Sequence, residues 1–236
     1  MARVLAVNVD QFHNQVFQSG TKRGTPKEIF DEHGAQINLT QHPPGLVVKP
    51  HAHTVDEILY LLDGELLVDG VGPLPKGSAL VFGANNVYGF TVGSAGVRWL
   101  AIRPTRPDLP DLEKTDATYD LPKGVSNDRS HVVSGAQVGK MRWRQLPGRF
   151  GIKEKALVTA KGSAHVSLFN VAGGATHSPP PTGNYQFLFV LNGTITVDGQ
   201  PCPEQTAVSI PPGAAPAIKV EGGPATYVHI EAADQP

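Results

Sequence analysis

Cysteine is nearly absent from this 236-residue sequence: Cys202 stands alone. A single thiol excludes a disulfide framework within the chain and a thiolate metal cluster. Charge is scarce as well. Asp, Glu, Lys and Arg make up 17% of residues and the formal net charge is −1. That removes the electrostatic case for nucleic acid or an anionic membrane as a partner. The densest basic stretch, "KMRWRQLPGRFGIKEK" (140–155), alternates with apolar residues and reads as a solvated strand face. No apolar run has the length of a membrane span, and the apolar part of "MARVLAVNVDQFHNQ" is too short for a secretion signal. The expected setting is the cytoplasm. Dinucleotide fingerprints, phosphate loops and a Ser-His-Asp order are missing too.

What is present is glycine (26), proline (21) and 40% hydrophobic residues. This is the composition of many short strands joined by tight turns. "EILYLLDGELLVDG" (57–70) reads as two strands around an Asp63-Gly64 hairpin turn. Segments 79–86 and 96–104 are further strand candidates. The best helical stretch is "TPKEIFDEHG" (25–34), with Thr25 as cap and Pro26 in the first turn.

Residues 103–124 are dense in proline and acid and lack hydrophobic period, the composition of a linker. On either side of it the chain repeats. "ILYLLDGELLVDG" (58–70) matches "FLFVLNGTITVDG" (187–199) without a gap. The expected organisation is therefore two copies of one β domain, at 1–105 and 129–236, with a linker at 106–128.

The first copy opens on "KPHAHTVDEILYLLDGEL" (49–66). Side chains alternate along a strand, so His51 and His53 share a face. Glu57 begins the next strand in phase with Leu59 and Leu61. Two imidazoles and a carboxylate on an interior face suit a divalent first-row metal with coordination positions left open.

The spacing Gly45-x5-His51-x-His53-x3-Glu57-x6-Gly64 resembles the first motif of the cupin superfamily, and Pro75-Lys76-Gly77 resembles part of the second. The resemblance covers the chain twice. It implies an all-β bicupin, two tandem jelly-roll barrels, with one metal held by His51, His53 and Glu57. Where most metal-binding cupins place a fourth ligand, a histidine, this sequence has Tyr88 in "VYGF". A phenol of pKa about 10 serves there as ligand, hydrogen-bond donor or general acid, and the donor role near the metal is the expected one. Phe90 and Trp99 are expected to line a substrate pocket or to pack as core.

The second copy lacks the set. Alignment on Gly193 puts Gln186 at the Glu57 position, Thr182 at His53, Pro180 at His51 and Pro216 at Tyr88. His177 and Gln186 are left as a degenerate site, and the second barrel reads as structural or as a metal-free pocket. His165 and His229 either line its cavity or are hydrogen-bonded strand residues; His42, before two prolines, reads as a turn residue.

The resemblance implies an enzyme, first a dioxygenase using Fe(II) on a small enolisable or oxygen-bearing molecule. Mn, Ni, Cu, Co and Zn also suit the ligands. A non-oxidative isomerase, cyclase or lyase with Tyr88 as proton donor is the alternative. A non-catalytic binding protein is the third. The expected assembly is a monomer whose two barrels mimic a dimer, or a homodimer.

Overall fold

The computed structural model describes residues 5–8, 27–32, 35–68, 70–84, 86–105, 130–159 and 164–233. In chain order its elements are β1 (Leu5–Asn8), β2 (Lys27–Glu32), β3 (Ala35–His42), β4 (Val47–His51), β5 (Glu57–Val68), β6 (Gly72–Pro75), β7 (Ala79–Phe82), β8 (Tyr88–Arg103) and β9 (His131–Val133). After helix α1 (Gly135–Lys140) come β10 (Arg144–Gln145), β11 (Ile152–Thr159), β12 (Ala164–Val171), β13 (Thr176–His177), β14 (Tyr185–Asn192) and β15 (Thr194–Val197). The last are β16 (Gln200–Pro203), β17 (Thr206–Ile210), β18 (Ile218–Lys219) and β19 (Ala225–Ala232). The chain is all-β, and every strand pair is antiparallel.

The strands form two compact units. The N-terminal barrel is one sheet in the order β2-β3-β8-β5-β7-β9, with β4 also on β8 and β6 on β5. The C-terminal barrel has two sheets, β1-β17-β14-β19-β12-β11-β10 and β13-β18-β15-β16. Two edge strands depart from the expected boundaries of 1–105 and 129–236. β1 pairs with β17, Leu5 facing Ser209, and so belongs to the C-terminal barrel. β9 pairs with β7, Ala79 facing Val133, and belongs to the N-terminal one. The expected linker, 106–128, lies outside the described residues.

Two expectations fail for local reasons. Residues 27–32 are a strand and not a helical turn: Phe30, buried, pairs with Ile37, and this pairing outweighs local helix preference. Nor is Asp63-Gly64 a hairpin turn. β5 runs through it, and both of its halves pair with β8. The inward-facing residues change parity there, from Leu59 and Leu61 to Leu66 and Val68. β8 makes the matching change from Phe90 and Val92 to Val97, Trp99 and Ala101. The register shifts between Leu61 and Asp63 and between Gly64 and Leu66 are bulges that bend both strands together. Gly64 has φ +73°, and a Cβ on it would stand 2.0 Å from the Gly96 carbonyl oxygen. Only glycine fits this crossing.

The bend wraps the sheet around a core of Leu59, Leu61, Leu80, Phe90, Val92 and Trp99. The second core gathers Phe169, Val171, Leu188, Val190, Val208 and Tyr227. Among the described residues no helix is long and apolar enough to cross a membrane.

Candidate functional site

Glu57 is the first residue of β5, in phase with core-facing Leu59 and Leu61, and is 5% exposed. The turn before it is fixed by Asp56, whose buried carboxylate accepts the Ala84 amide at 2.8 Å. His51 closes β4 directly opposite Tyr88, the first residue of β8. Three of the four sequence-selected groups meet at Glu57 or beside it. The Tyr88 hydroxyl donates to Glu57 Oε2. His53 Nε2 stands 3.5 Å from the same oxygen. The His51 ring lies 4.5 Å from the Tyr88 ring and 5.2 Å from that of His53, centroid to centroid.

A fourth group was not foreseen. Arg103, the last residue of β8, donates from Nη2 to Glu57 Oε1 at 2.5 Å. Its signal was alternation: Val97, Trp99, Ala101 and Arg103 are spaced by two in "GVRWLAIRP", so they share the interior face. The same rule finds a polar wall. β3 pairs Gln36 with Arg103, Asn38 with Ala101 and Thr40 with Trp99, which sets three buried polar side chains on that face. His42 ends this row as a strand residue and not a turn residue, its ring 4.8 Å from Trp99.

The charges follow from this packing. Burial alone would raise the Glu57 pKa, but the Arg103 guanidinium, His53 and the Tyr88 hydroxyl hold it well below the usual carboxylate range. Tyr88 shifts the other way. Burial, then the neighbouring Glu57 charge, push its phenol well above 10, so it stays a proton-bearing donor. Its ring lies flat on Phe82 at 3.7 Å. Phe90 and Trp99 meet edge to face at 5.6 Å and are both core residues of this barrel.

Among the described residues no three His, Cys, Asp or Glu side chains form a ready-made metal cluster. The fit to a metal rests on donor chemistry and on one pair. Two ligand atoms with bonds of about 2.1 Å at the tetrahedral angle lie about 3.4 Å apart, and His53 Nε2 and Glu57 Oε2 are 3.5 Å apart. Two imidazoles and an ionised carboxylate are suitable ligands for a divalent transition ion. His53 Nδ1 is buried with no hydrogen-bond partner among the described residues, and Nε2 is the nitrogen that faces Glu57.

In the C-terminal barrel Gln186 takes the Glu57 place as the alignment expects, but its Nε2 donates to the Pro180 carbonyl and its Oε1 meets His229 Nε2. His177 does not occupy a ligand position. It pairs with Ile218 as Val48 pairs with Phe90 in the other barrel, upstream of the His51 position. The basic stretch is mostly exposed, as a solvated face should be, and one of its residues, Arg149, donates to His177 Nδ1 at 2.5 Å. His229 lines the adjoining cavity, whereas His165 is exposed.

No protein-family model matches the sequence, and no curated protein matches it. Solved structures do. A cupin 2 conserved barrel domain protein from Leptotrichia buccalis is 15% identical, with 97% of this chain and 96% of that chain covered and a TM-score of 0.61. A variant of salicylate 1,2-dioxygenase from Pseudoaminobacter salicylatoxidans is 9% identical over 98% of this chain and 84% of that chain, with a TM-score of 0.71. A variant of oxalate decarboxylase from Bacillus subtilis is 14% identical over 98% and 78%, with a TM-score of 0.66. At these identities the likeness is one of fold.

Proposed function

Since the chain has the cupin fold in two copies, we propose that its N-terminal barrel is the active site of a metal-dependent enzyme, a dioxygenase acting on a small oxygen-bearing organic molecule. The observation that carries this reading is the state of Glu57. It is buried, ionised and clamped by Arg103 on one oxygen, with His53 Nε2 at metal-ligand spacing from the other. Arg103 already offsets the buried charge at Oε1, so what points to a metal is Oε2, whose spacing to an imidazole nitrogen is that of two ligands on one ion. His51, His53 and Glu57 would hold one divalent ion, Fe(II) first among those the donors suit. Such an ion supplies Lewis acidity and, for iron, access to dioxygen chemistry.

The protein's own groups do the rest. Arg103 neutralises the outer oxygen of Glu57 and fixes its plane. Tyr88 keeps its proton at neutral pH and holds it at Glu57 Oε2, beside the rings of His51 and His53. The buried amides and hydroxyl of Gln36, Asn38 and Thr40 give the interior face polar partners for a substrate's oxygen atoms. The decisive experiment is oxygen uptake by the iron-loaded protein with enolisable and hydroxylated aromatic acids. Substrate-dependent uptake is expected; turnover at full rate under strict anaerobiosis would refute it.

A second reading is favoured by one contact, the Tyr88 hydroxyl on the Glu57 carboxylate. It makes Tyr88 a proton donor for a non-oxidative isomerase, cyclase or lyase. Tyr88→Phe should then lower kcat by about 10²–10⁴ under anaerobic conditions while metal content stays intact. Unchanged anaerobic turnover in Tyr88→Phe removes this reading.

A further inference from the structure

The C-terminal barrel holds a cavity of about 280 Å³ that the function above does not use. Four polar side chains face it, and their hydrogen bonds fix what each can offer. Gln186 Nε2 donates to the Pro180 carbonyl, so Gln186 Oε1 is the acceptor and His229 Nε2 the donor in their 2.7 Å contact. Arg149 has only donors, so His177 Nδ1 accepts from it and the ring proton sits on Nε2. Glu154 is already answered: Oε1 accepts the Ser167 hydroxyl at 2.9 Å and Oε2 meets Arg144 Nη2 at 2.7 Å. Burial, with Arg149 adding to it at His177, holds both imidazoles near pKa 4 and therefore neutral at pH 7.

The sum of these assignments is one-sided. The Glu154 carboxylate is paired with Arg144, though its charge still reaches both imidazoles, both histidines are uncharged, and Arg149 leaves the wall with a net positive charge. A metal is a poor match, because the carboxylate and one nitrogen of each imidazole are already committed. An anion suits the site. The remaining walls are apolar, Phe169 stacked on His177 at 5.2 Å, with Pro147 and Pro179. Behind Phe169, at 5.3 Å between rings, the Tyr227 hydroxyl is wholly buried with no partner among the described residues.

We propose that this cavity is a binding site for a small organic carboxylate, its anionic end on the Arg149 guanidinium and the His177 Nε2–H and its apolar body against Phe169. The volume lies just below the usual range of ligand pockets, about 300–1,000 Å³, which limits the ligand to a single ring or a short chain. An Arg–carboxylate pair supplies the charge-assisted bond, and the site needs no metal.

The test is calorimetric titration of benzoate into the chelator-treated 236-residue protein at pH 7, with benzamide as the uncharged isostere. Saturable binding of one benzoate per chain is expected, with no binding of benzamide. Arg149→Gln, at an exposed turn position that should leave folding intact, is expected to weaken binding about tenfold or more, and His177→Phe to weaken it as well. His53→Ala in the other barrel should leave it unchanged. The absence of saturable binding at millimolar benzoate overturns the proposal. So does undiminished affinity in Arg149→Gln, or loss in His53→Ala with retention in Arg149→Gln, which would assign the acid to the other barrel.

Discussion

Replacing Arg103 with Met tests the electrostatic logic of the N-terminal barrel most directly. The substitution keeps an unbranched apolar stem and deletes the cation 2.5 Å from Glu57 Oε1. The Glu57 side chain is 6% exposed and that of Arg103 18%, so water screens little of the loss. Removing one partner of a buried pair costs about 3–5 kcal/mol. With a urea m-value of about 1–3 kcal/mol/M, the midpoint should fall by roughly 1–5 M. The measurement can be confined to this barrel: the two tryptophans are Trp99 and Trp143, so a Trp143→Phe background leaves Trp99 fluorescence as the reporter. Chelator in the buffer restricts the result to the protein's own charges.

The pH dependence carries a definite sign. Glu57 has a folded pKa below its ordinary 4.5. It therefore contributes stability above its unfolded pKa and loses it as pH falls through the lower folded value. Without Arg103 the effect of burial is less opposed and the folded pKa rises. The gap between wild type and Arg103→Met should be widest near pH 7 and narrow on acidification, as the variant's carboxyl takes up a proton. In a Glu57→Gln background, Arg103→Met should cost far less. An unchanged midpoint at pH 7, or a gap that does not vary with pH, would refute the reasoning.

Three further outcomes follow from the geometry. Gly64→Ala should lower the urea midpoint of the first barrel far more than Gly45→Ala. Both sit at positive φ, at a cost of about 1–2 kcal/mol, but only at Gly64 does a Cβ meet backbone, whereas Gly45 has open space around it, and forced repacking adds about 1–3 kcal/mol. Elemental analysis of the protein as purified should find one transition metal per chain, lost in His53→Ala and Glu57→Gln and retained in His177→Ala; metal that survives both of the first variants sinks the assignment. The Cys202 thiol is buried and its pKa is raised by burial, so a thiol reagent at pH 8 should label it only after unfolding in urea, and rapid labelling of the native protein would contradict its placement.

The fold was legible because the repeat and the alternation are local patterns that survive in any context. "ILYLLDGELLVDG" and "FLFVLNGTITVDG" announce the same strand twice, and β5 and β14 with β15 bear this out. What misled was chemistry shared by two structures. Asp63-Gly64 carries the sequence of a two-residue hairpin, yet a glycine at positive φ also makes a bulge, and only the Gly96 carbonyl behind it decides between them. The site was half legible. Motif spacing brings out His51, His53 and Glu57, all within the stretch between Gly45 and Gly64. Arg103 reaches Glu57 across 46 positions of sequence, and Arg149 reaches His177 across 28. No short-range pattern encodes such partners. Alternation alone could have turned Arg103 inward, and nothing in "LPGRFG" separates Arg149 from any other exposed turn residue.

The pairing of β1 with β17 also sets an order in time. Leu5 meets Ser209, so β1 is synthesised long before the strand it pairs with. At about 5–20 residues per second, β1 waits on the order of 10–40 s for its partner, while the intervening residues that complete the N-terminal barrel have already emerged. Until β17 is made, β1 is an unpaired strand open to pairing with a strand from another molecule. Deletion of the first eight residues, which leaves that edge of β17 unpaired, should be felt in the C-terminal barrel, as a rise in aggregation during synthesis and refolding.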